Sequence, residues 1–264
     1  MFYSVIVRFR AKKDIYFNYY PGESLHGMLF HMINKRDEEK VTVLHDRYNS
    51  KPFTISPILP YLKWRKGKRY LKKGKKYFFR ITFLEEEWYK LFMEYFLYHP
   101  EGLKLNGVKI EVIEALTNSK QDNRCDCIEP SQLRQNSGDD RKIKFKFHST
   151  TTFSIEDRHI IFPRADYLFN SLFSKWQEFG SEKLTVERED FDNIYLSRYD
   201  LESTMEWFND YPIKGFEGKC KYELSSKISS KKVKDINLLA GFAFYGGVGY
   251  KTTMGLGQVA RMQN

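Results

Sequence analysis

Apolar and polar positions follow two different periods along the chain, and together they predict a mixed α and β fold. Residues 3–9 alternate in the manner of a strand. After a break at Pro21-Gly22, apolar residues recur at helical spacing, and Ser24 is predicted to cap the resulting helix. The apolar positions of that helix are Leu25, Met28, Leu29, Met32 and Ile33.

Strand-like alternation and helical spacing also predict the elements that follow, up to residue 117. Residues 34–40 are predicted as a solvated helix end with its loop, and residues 43–57 as a turn-rich passage that enters a strand. A strand over 77–84, a helix opened by three glutamates at 85–87 and a strand over 108–116 follow. The order β-α-β-β-α-β predicts a ferredoxin-like domain over residues 1–117.

The remainder of the chain predicts a second domain of the same type. Residues 118–141 are polar and are interpreted as a linker or mobile insertion. Strands near 143–153, 194–197 and 213–224 and helices over 166–179 and 233–240 repeat the β-α-β-β-α-β order in residues 142–264. The predicted fold class is therefore α+β, with two tandem ferredoxin-like domains and a C-terminal glycine-rich loop.

That loop contains five glycines between Gly246 and Gly257, flanked by an apolar run and a short closing strand over 256–261. Because glycine lacks a β-carbon and reaches positive φ at little cost, such a loop can wrap amide groups around phosphates. The spacing fits neither a P-loop nor a dinucleotide-binding loop. A glycine-rich hairpin with bulges is the alternative that the glycines alone leave open.

The formal net charge of +10 favours a polyanionic partner, and nucleic acid fits better than a membrane. Nine of the fourteen residues over 63–76 are Lys or Arg, which indicates phosphate contact, although a soluble hairpin tip would show the same pattern. The candidate RNA-contacting side chains in this block are those of Lys63, Arg65, Lys66, Lys68, Arg69, Lys72 and Lys73.

Other composition features narrow the class of protein. The N-terminal residues do not resemble a signal peptide, and no stretch has the length that crossing a bilayer needs. Three cysteines fit neither a disulfide scaffold nor a zinc site. We therefore expect a cytoplasmic protein with no structural metal.

Among six histidines, His45 is distinguished by Lys51, which follows six residues later in the passage predicted to be irregular. An imidazole can transfer a proton near pH 7, and a lysine can stabilise the extra charge of a pentacoordinate phosphorane. This pair suits RNA cleavage without a metal. His99, His148 and His159 are more typical of structural histidines.

Three sequence features resemble the sixth family of CRISPR-associated (Cas) proteins, the endoribonucleases that cut CRISPR repeat RNA, within the repeat-associated mysterious protein superfamily. They are the loop from Gly247 to Gly257, the helix segment Leu25-His-Gly-Met-Leu, and Leu44-His45 followed by Lys51-Pro-Phe-Thr-Ile-Ser56. The resemblance implies tandem ferredoxin-like domains and cleavage without a metal or other cofactor. It further implies attack by the RNA's 2′-hydroxyl, which leaves 2′,3′-cyclic phosphate and 5′-hydroxyl ends.

The family's residue roles carry over to specific positions. The resemblance makes His45 a general acid or base and Lys51 the group that stabilises the transition state. Some members place a tyrosine on the first helix where this chain has Phe30. Because His26 lies one turn earlier on the same flank, we hypothesise that it is the second proton-transfer group. The alternative is that His26 only packs or hydrogen-bonds at the helix edge.

The predicted partner is CRISPR repeat RNA, whose phosphates would contact Gly247, Gly249, Lys251, Gly255 and Gly257. A catalytically inactive RNA-binding subunit that assembles with other Cas proteins in an interference complex is the leading alternative. A basic two-domain RNA-binding protein outside this family is the third. The sequence leaves open whether the protein forms a homodimer.

Overall fold

The computed structural model of the chain describes residues 1–46, 50–65, 68–98, 102–156, 158–209 and 211–262, with the backbone alone for 45, 46 and 63–65. These residues form two compact units. The first unit comprises Met1–Cys127, Trp207–Tyr211 and Thr253–Gly255. The second comprises Ile128–Glu206, Pro212–Thr252 and Leu256–Asn264.

Nine strands and three helices make up the N-terminal part of the described chain. The strands are β1 (Phe2–Ala11), β2 (Ile15–Phe17), β3 (Phe53–Ile55), β4 (Lys63–Arg65), β5 (Lys68–Leu71), β6 (Lys76–Phe83), β7 (Lys104–Leu105), β8 (Val108–Leu116) and β9 (Asp126–Ile128). The helices are α1 (Gly22–Arg36), α2 (Glu38–Asp46) and α3 (Glu86–Tyr98).

The main sheet of the first unit has the strand order β3-β6-β1-β8-β7, and β9 also pairs with β1. Its central strand β1 runs antiparallel to β6, from Tyr3 opposite Phe83 to Arg10 opposite Lys76. Counting only the β-α-β-β-α-β elements, this is the ferredoxin-like order 2-3-1-4, as predicted. A separate small sheet has the order β2-β5-β4.

The core of the first unit lies between this sheet and its helices. All five predicted apolar positions of α1 are buried, and they pack with alternate β1 residues such as Val5 and Val7. Fully burying a side chain of this size contributes about 1.5–3 kcal/mol. Ile6, on the opposite face of β1, is also fully buried, where it packs with Leu116 and Cys125. The central strand is therefore covered on both faces.

Two local predictions for this unit are wrong. Helix α1 begins at Gly22 with Pro21 at the N-cap position, so Ser24 lies inside the first turn and does not cap it. Proline suits a helix start because its fixed φ matches the helix and its missing N–H needs no partner there. Residues 38–46 form α2 rather than a loop and a turn-rich passage, and the buried Leu44 anchors it to the core.

Six strands and three helices form the C-terminal part of the described chain. The strands are β10 (Lys142–Thr151), β11 (Phe153–Ile155), β12 (Arg158–Ile160), β13 (Ile194–Trp207), β14 (Pro212–Leu224) and β15 (Val259–Met262). The helices are α4 (Pro130–Gln135), α5 (Ala165–Phe179) and α6 (Ser230–Gly246), with 3-10 turns at Arg188–Asn193 and Thr252–Met254.

The sheet of the second unit has the order β13-β14-β10-β15, which is again 2-3-1-4. The Phe145 ring on β10 lies 6.2 Å from that of Phe169 on α5 and 5.9 Å from that of Tyr222 on β14. These aromatic contacts join sheet and helix in one core. The prediction of a second ferredoxin-like domain is confirmed.

The ends of this unit differ from expectation. Helix α6 reaches Gly246, well beyond the predicted 233–240, and includes the whole apolar run before the glycines. The glycine segment, residues 246–257, therefore joins a helix to β15 rather than two strands, and the hairpin alternative is wrong. The closing strand begins at Val259 rather than at residue 256.

Residues 118–141 contain more structure than their polar composition indicates. They include β9 and the short helix α4, which begins with a capping box formed by Glu129 and Gln132. Arg134 on α4 donates to the carboxylate of Asp235 on α6, with Nη1 2.9 Å from Oδ1.

Within the described ranges, no helix combines the length and apolar composition that spanning a membrane requires.

Candidate active site

His26 lies in the N-terminal half of α1, half-buried beside two phenylalanines. Its ring centroid is 4.5 Å from that of Phe30 and 6.0 Å from that of Phe53 on β3. The contact with Phe30 agrees with the expectation that both side chains share one flank of the helix. His31 is exposed on the same helix.

A backbone carbonyl orients the His26 ring. Nδ1 lies 3.2 Å from the carbonyl oxygen of Thr253, which belongs to the same unit. A carbonyl oxygen can only accept, so this hydrogen bond requires the proton to be on Nδ1. In the neutral ring, Nε2 is then the basic nitrogen, and the Thr253 carbonyl selects the tautomer that can accept a proton there.

Lys51 lies at the C-terminal end of α2. Its Nζ donates to the carbonyl oxygen of Leu44, the residue that precedes His45. The last four carbonyls of a helix have no partner within the helix, and a cation is favourable at this negative end of the dipole. The contact brings Lys51 to the backbone beside His45, whose side chain lies outside the described residues.

Strand β3 connects these two parts of the site. Lys51 precedes Phe53 by two residues, and the fully buried Phe53 ring contacts His26. The start of β3 thus links the lysine at the end of α2 to the histidine on α1. Lys51 thus lies two residues before a ring that His26 contacts, and both residues belong to the first unit.

Thr253–Gly255 approach the start of α1 so closely that glycine is needed on both sides. A β-carbon on Gly22 would lie 1.8 Å from the Met254 carbonyl oxygen. One on Gly255, whose φ is +91°, would lie 2.8 Å from the Tyr20 hydroxyl, which donates to the Gly255 carbonyl. Larger residues at either position would push apart the backbone that holds the His26 ring.

Part of the basic block lies near this segment. The Arg69 guanidinium on β5 is 5.5 Å from the centroid of the Tyr20 ring. Lys68, Lys72 and Lys73 are exposed on β5 and the turn after it. Lys63 and Arg65 have their backbone on β4, but their side chains, and all of Lys66, lie outside the described residues.

In the second unit, three amides of the glycine segment donate to the chain's own oxygen atoms. The amides of Gly247, Gly249 and Gly257 donate to the Ala243 carbonyl, the Ser171 hydroxyl and the Thr150 carbonyl, each at 3.0 Å. All three glycines have positive φ, between +59° and +81°. These three amides therefore already have hydrogen-bond acceptors within the protein.

The missing β-carbons have a packing reason as well. A β-carbon on Gly249 would lie 2.3 Å from the Thr152 carbonyl oxygen, and one on Gly257 would lie 2.0 Å from that of Val248. The half-buried Lys251, at φ +53°, is a non-glycine residue of the segment with positive φ. Contact of Gly247, Gly249, Lys251, Gly255 and Gly257 with RNA remains a prediction.

Sequence reasoning missed Lys175, a lysine on the buried face of α5. Its Nζ donates to the Gly246 carbonyl at 2.6 Å, the Gly247 carbonyl at 3.5 Å and the Thr252 hydroxyl at 3.2 Å. It thereby binds the C-terminal end of α6, and burial lowers the pKa of Lys175 to about 7. The sequence feature that could have indicated a buried lysine is its position between Phe173 and Trp176 on the apolar stripe of α5.

Two βαββαβ units in one chain, the first with a histidine on α1 and a lysine at the end of α2, define a class of tandem ferredoxin-like α+β proteins. Comparison with known families narrows this class. The family description CRISPR Cas6 N-terminal domain matches residues 1–124, and the description CRISPR-associated endoribonuclease Cas6 matches residues 145–259. The chain belongs to the Cas6 family.

Known relatives agree with this assignment. A CRISPR-associated endoribonuclease Cas6 from Streptococcus thermophilus is 25% identical over 117 residues, which cover 43% of this chain and about half (47%) of that protein. A solved Cas6 product complex superposes with a TM-score of 0.85 at 22% identity, covering 99% of both chains. Thermus thermophilus Cas6 superposes with a TM-score of 0.73 at 20% identity, covering 99% of this chain and 98% of that one. These structures establish the fold.

Proposed function

We propose that this chain cleaves CRISPR precursor RNA within its repeats, by a reaction that needs no metal ion. Membership of the Cas6 family in both halves of the chain is the observation that carries the proposal. Fold neighbours include a Cas6 substrate mimic complex and a protein described as a RAMP protein binding different RNA substrates. The strongly basic charge of this chain suits the same kind of ligand.

In the proposed reaction, the 2′-hydroxyl of one nucleotide attacks the phosphorus that follows it. One imidazole accepts the 2′-hydroxyl proton as the O2′–P bond forms, and another donates a proton to the 5′-oxygen as the P–O5′ bond breaks. The products carry a 2′,3′-cyclic phosphate and a 5′-hydroxyl. No water, oxidant or further reactant enters this step.

The geometry supports a specific role for each group. His26, with its Nδ1 proton on the Thr253 carbonyl, has Nε2 as the basic nitrogen and suits the role of general base. His45, at the last turn of α2, is then the general acid. Lys51 would stabilise the negative charge that develops on the phosphorane oxygens. Its contact with Leu44 keeps the ammonium at this end of α2.

RNA would be held mainly by side chains rather than by the engaged glycine amides. Exposed Lys68, Lys72 and Lys73, with Arg69, supply positive charge in the first unit, and Lys251 supplies it in the glycine segment. The glycines allow the backbone to take the shape that presents Lys251. Chemistry requires the scissile phosphate to be correctly placed against the histidines. Mutations of the RNA-holding side chains should therefore change affinity, and mutations of the histidines should change the cleavage rate.

The test is single-turnover cleavage of the cognate repeat RNA in EDTA, followed by analysis of the product ends. We expect cleavage at one position and 2′,3′-cyclic phosphate ends, which resist phosphatase until acid hydrolysis opens them to 2′- or 3′-phosphates. Tight, repeat-specific binding without cleavage would instead identify an RNA-binding subunit of an interference complex. Cleavage that stops in EDTA and returns with a divalent metal would contradict the proposed chemistry.

A further inference from the structure

An open cavity of about 330 Å³ lies in the second unit, beside the glycine segment. Its floor is the polar face of α5, where Tyr167, Asn170, Ser171 and Ser174 follow one another at helical spacing. Tyr250 lines one side, and β11 lines another. The mechanism proposed above uses none of these side chains.

The cavity contains a preoriented cation. The exposed Arg188 donates from Nη1 to the Asn170 side-chain oxygen at 2.8 Å and from Nη2 to the Ser174 hydroxyl at 2.9 Å. Both partners are neutral, and among the described residues of the lining Arg188 alone is charged. These contacts use two of the five N–H donors of a guanidinium. The arrangement favours an anion, because the charge is held in place by neutral groups.

Aromatic and amide groups surround this cation. Tyr167 and Tyr250 are both half-buried at the cavity wall. The Arg164 guanidinium lies 4.5 Å from the centroid of the Tyr167 ring, and Lys251 Nζ lies 5.4 Å from that of the Tyr250 ring, so both rings already lie beside positive charge. Because the Asn170 oxygen accepts from Arg188, its amide nitrogen is the side that can donate to a ligand. A planar ring, a directed amide and a fixed guanidinium are the groups that recognise a base and its phosphate.

The cavity is preformed and continuous with the glycine segment. The Gly249 amide donates to Ser171 on the cavity floor, and the Tyr250 amide donates to the Thr152 carbonyl at 2.9 Å. These bonds fix the backbone on either side of the Tyr250 ring. Lys251, the predicted phosphate contact, follows directly in the chain. A strand of RNA held by Lys251 would therefore pass the mouth of the cavity.

We propose that this cavity binds a single unpaired nucleotide of the RNA, with its base against the tyrosine rings and its phosphate on Arg188. The inference rests on the proposed function, because it assigns a recognition site to the same substrate. The volume lies at the lower end for ligand pockets, which suits one nucleotide rather than a helix. This would make the second unit a reader of one RNA position.

The test uses the RNA that co-purifies with the full-length protein, resynthesised with a 2′-deoxy nucleotide at the cut position to prevent cleavage. Each unpaired base is removed in turn, and affinity is measured for the wild type, Asn170→Leu, Tyr167→Leu and Arg188→Gln. We expect one abasic position to weaken wild-type binding about tenfold, as for loss of a stacked base. The same abasic change should have little effect in Asn170→Leu and Tyr167→Leu.

Arg198→Gln is the matched control, since it removes an exposed arginine on β13 that does not line the cavity. It should keep the full abasic penalty, whereas Arg188→Gln should reduce it. Thermal melting of each variant checks that it folds. If either Asn170→Leu or Tyr167→Leu does not fold, the other still tests the inference.

Equal abasic penalties in the wild type and both cavity variants would overturn the inference while leaving RNA cleavage intact. Wild-type protein that neither binds nor cleaves repeat RNA would instead defeat the proposed function itself. Calorimetry measures the affinity of the wild type and Arg188→Gln for free AMP, GMP, CMP and UMP. Tight binding of a free nucleotide that Arg188→Gln abolishes, with no change in the RNA scan, would identify a small-molecule site and also overturn the inference.

Discussion

The first helix of each βαββαβ motif binds a different part of the glycine segment, and the two do so with different chemistry. In the first unit, His26 on α1 contacts the Thr253 carbonyl through a half-buried imidazole. In the second, the buried Lys175 on α5 donates to the carbonyls of Gly246 and Gly247. One scaffold thus supplies a half-buried imidazole in one copy and a buried lysine that holds the backbone in the other.

The largest effect is expected from the histidines of the first unit. His26→Ala and His45→Ala should each lower the single-turnover cleavage rate by about 100- to 10,000-fold, the usual range for loss of a general acid or base. RNA affinity should change little. His31→Ala, on the same helix but exposed, is the matched control and should cleave at the normal rate. Normal cleavage by His26→Ala would leave α1 with a purely structural role.

A smaller but still large effect is expected from the glycines of the second unit. Gly249→Ala and Gly257→Ala place a β-carbon at positive φ and about 2 Å from a carbonyl oxygen. Each should lower the free energy of unfolding by at least about 1–3 kcal/mol, as strained backbone does, and weaken RNA binding. Chemical denaturation and binding assays measure both.

Gly27→Ala provides the control for this prediction, because a β-carbon on this α1 residue would have no described atom of another element within 4 Å. Alanine in place of glycine inside a helix should keep or raise stability by about 0.5–1 kcal/mol. If Gly249→Ala were as stable as Gly27→Ala, the close backbone contacts of the second unit would not hold in solution.

Lys175 should give the stability of the protein a distinctive pH dependence. Burial lowers its pKa to about 7, while the unfolded chain keeps the ordinary value near 10.5. Between these values the unfolded state binds more protons, so this group makes the free energy of unfolding rise with pH. Its contribution is complete above about 10.5 and is lost as pH falls towards 7, with a slope of at most about 1.4 kcal/mol per pH unit.

Urea denaturation at pH 7, 8 and 9 tests this point by comparing the wild type with Lys175→Met, which keeps the apolar stem but cannot ionise. We expect a flatter pH dependence in the variant. Lys175→Met should also weaken RNA binding more than it slows cleavage of bound RNA, because the lysine positions the glycine segment. Parallel pH curves for the two proteins would refute the lowered pKa.

The smallest effect per residue is expected from the exposed lysines of the basic block. Changing Lys68, Lys72 and Lys73 to serine should lower affinity for every RNA and flatten its salt dependence. Removing one phosphate contact reduces the slope of log K against log salt by about 0.7–0.9. A slope equal to that of the wild type would show that this surface does not meet phosphate.

Local periodicity predicted most of the fold because each buried strand or helix carries its own pattern. The five buried positions of α1 and the alternation in β1 are visible in sequence, and the ferredoxin-like order followed from them. Helix α2 was missed because its nine residues hold few apolar positions: Leu44 is fully buried, while Val41 and Val43 pack against the core only partly buried. The end of α6 was missed because Gly241 and Gly246 are poor helix formers that packing overrides.

The candidate site was only partly visible in the same way. Helical geometry predicted that His26 and Phe30 share a flank, since both lie on one element. The contact of Lys51 with the end of α2 and that of Lys175 with the glycine segment join residues that belong to different elements. The residue pattern of a single helix or strand does not predict contacts of this kind with another element.

By itself, the sequence determined which segments are apolar and periodic, where the positive charge lies, and which residue types could transfer a proton. These properties depend on neighbours within a few positions of the chain. Only the tertiary structure decided that the glycine amides donate to the protein's own oxygens, that a carbonyl orients His26, and that a lysine is buried under the end of α6. Those outcomes depend on hydrogen bonds and close packing between residues as much as 227 positions apart, which no local pattern encodes.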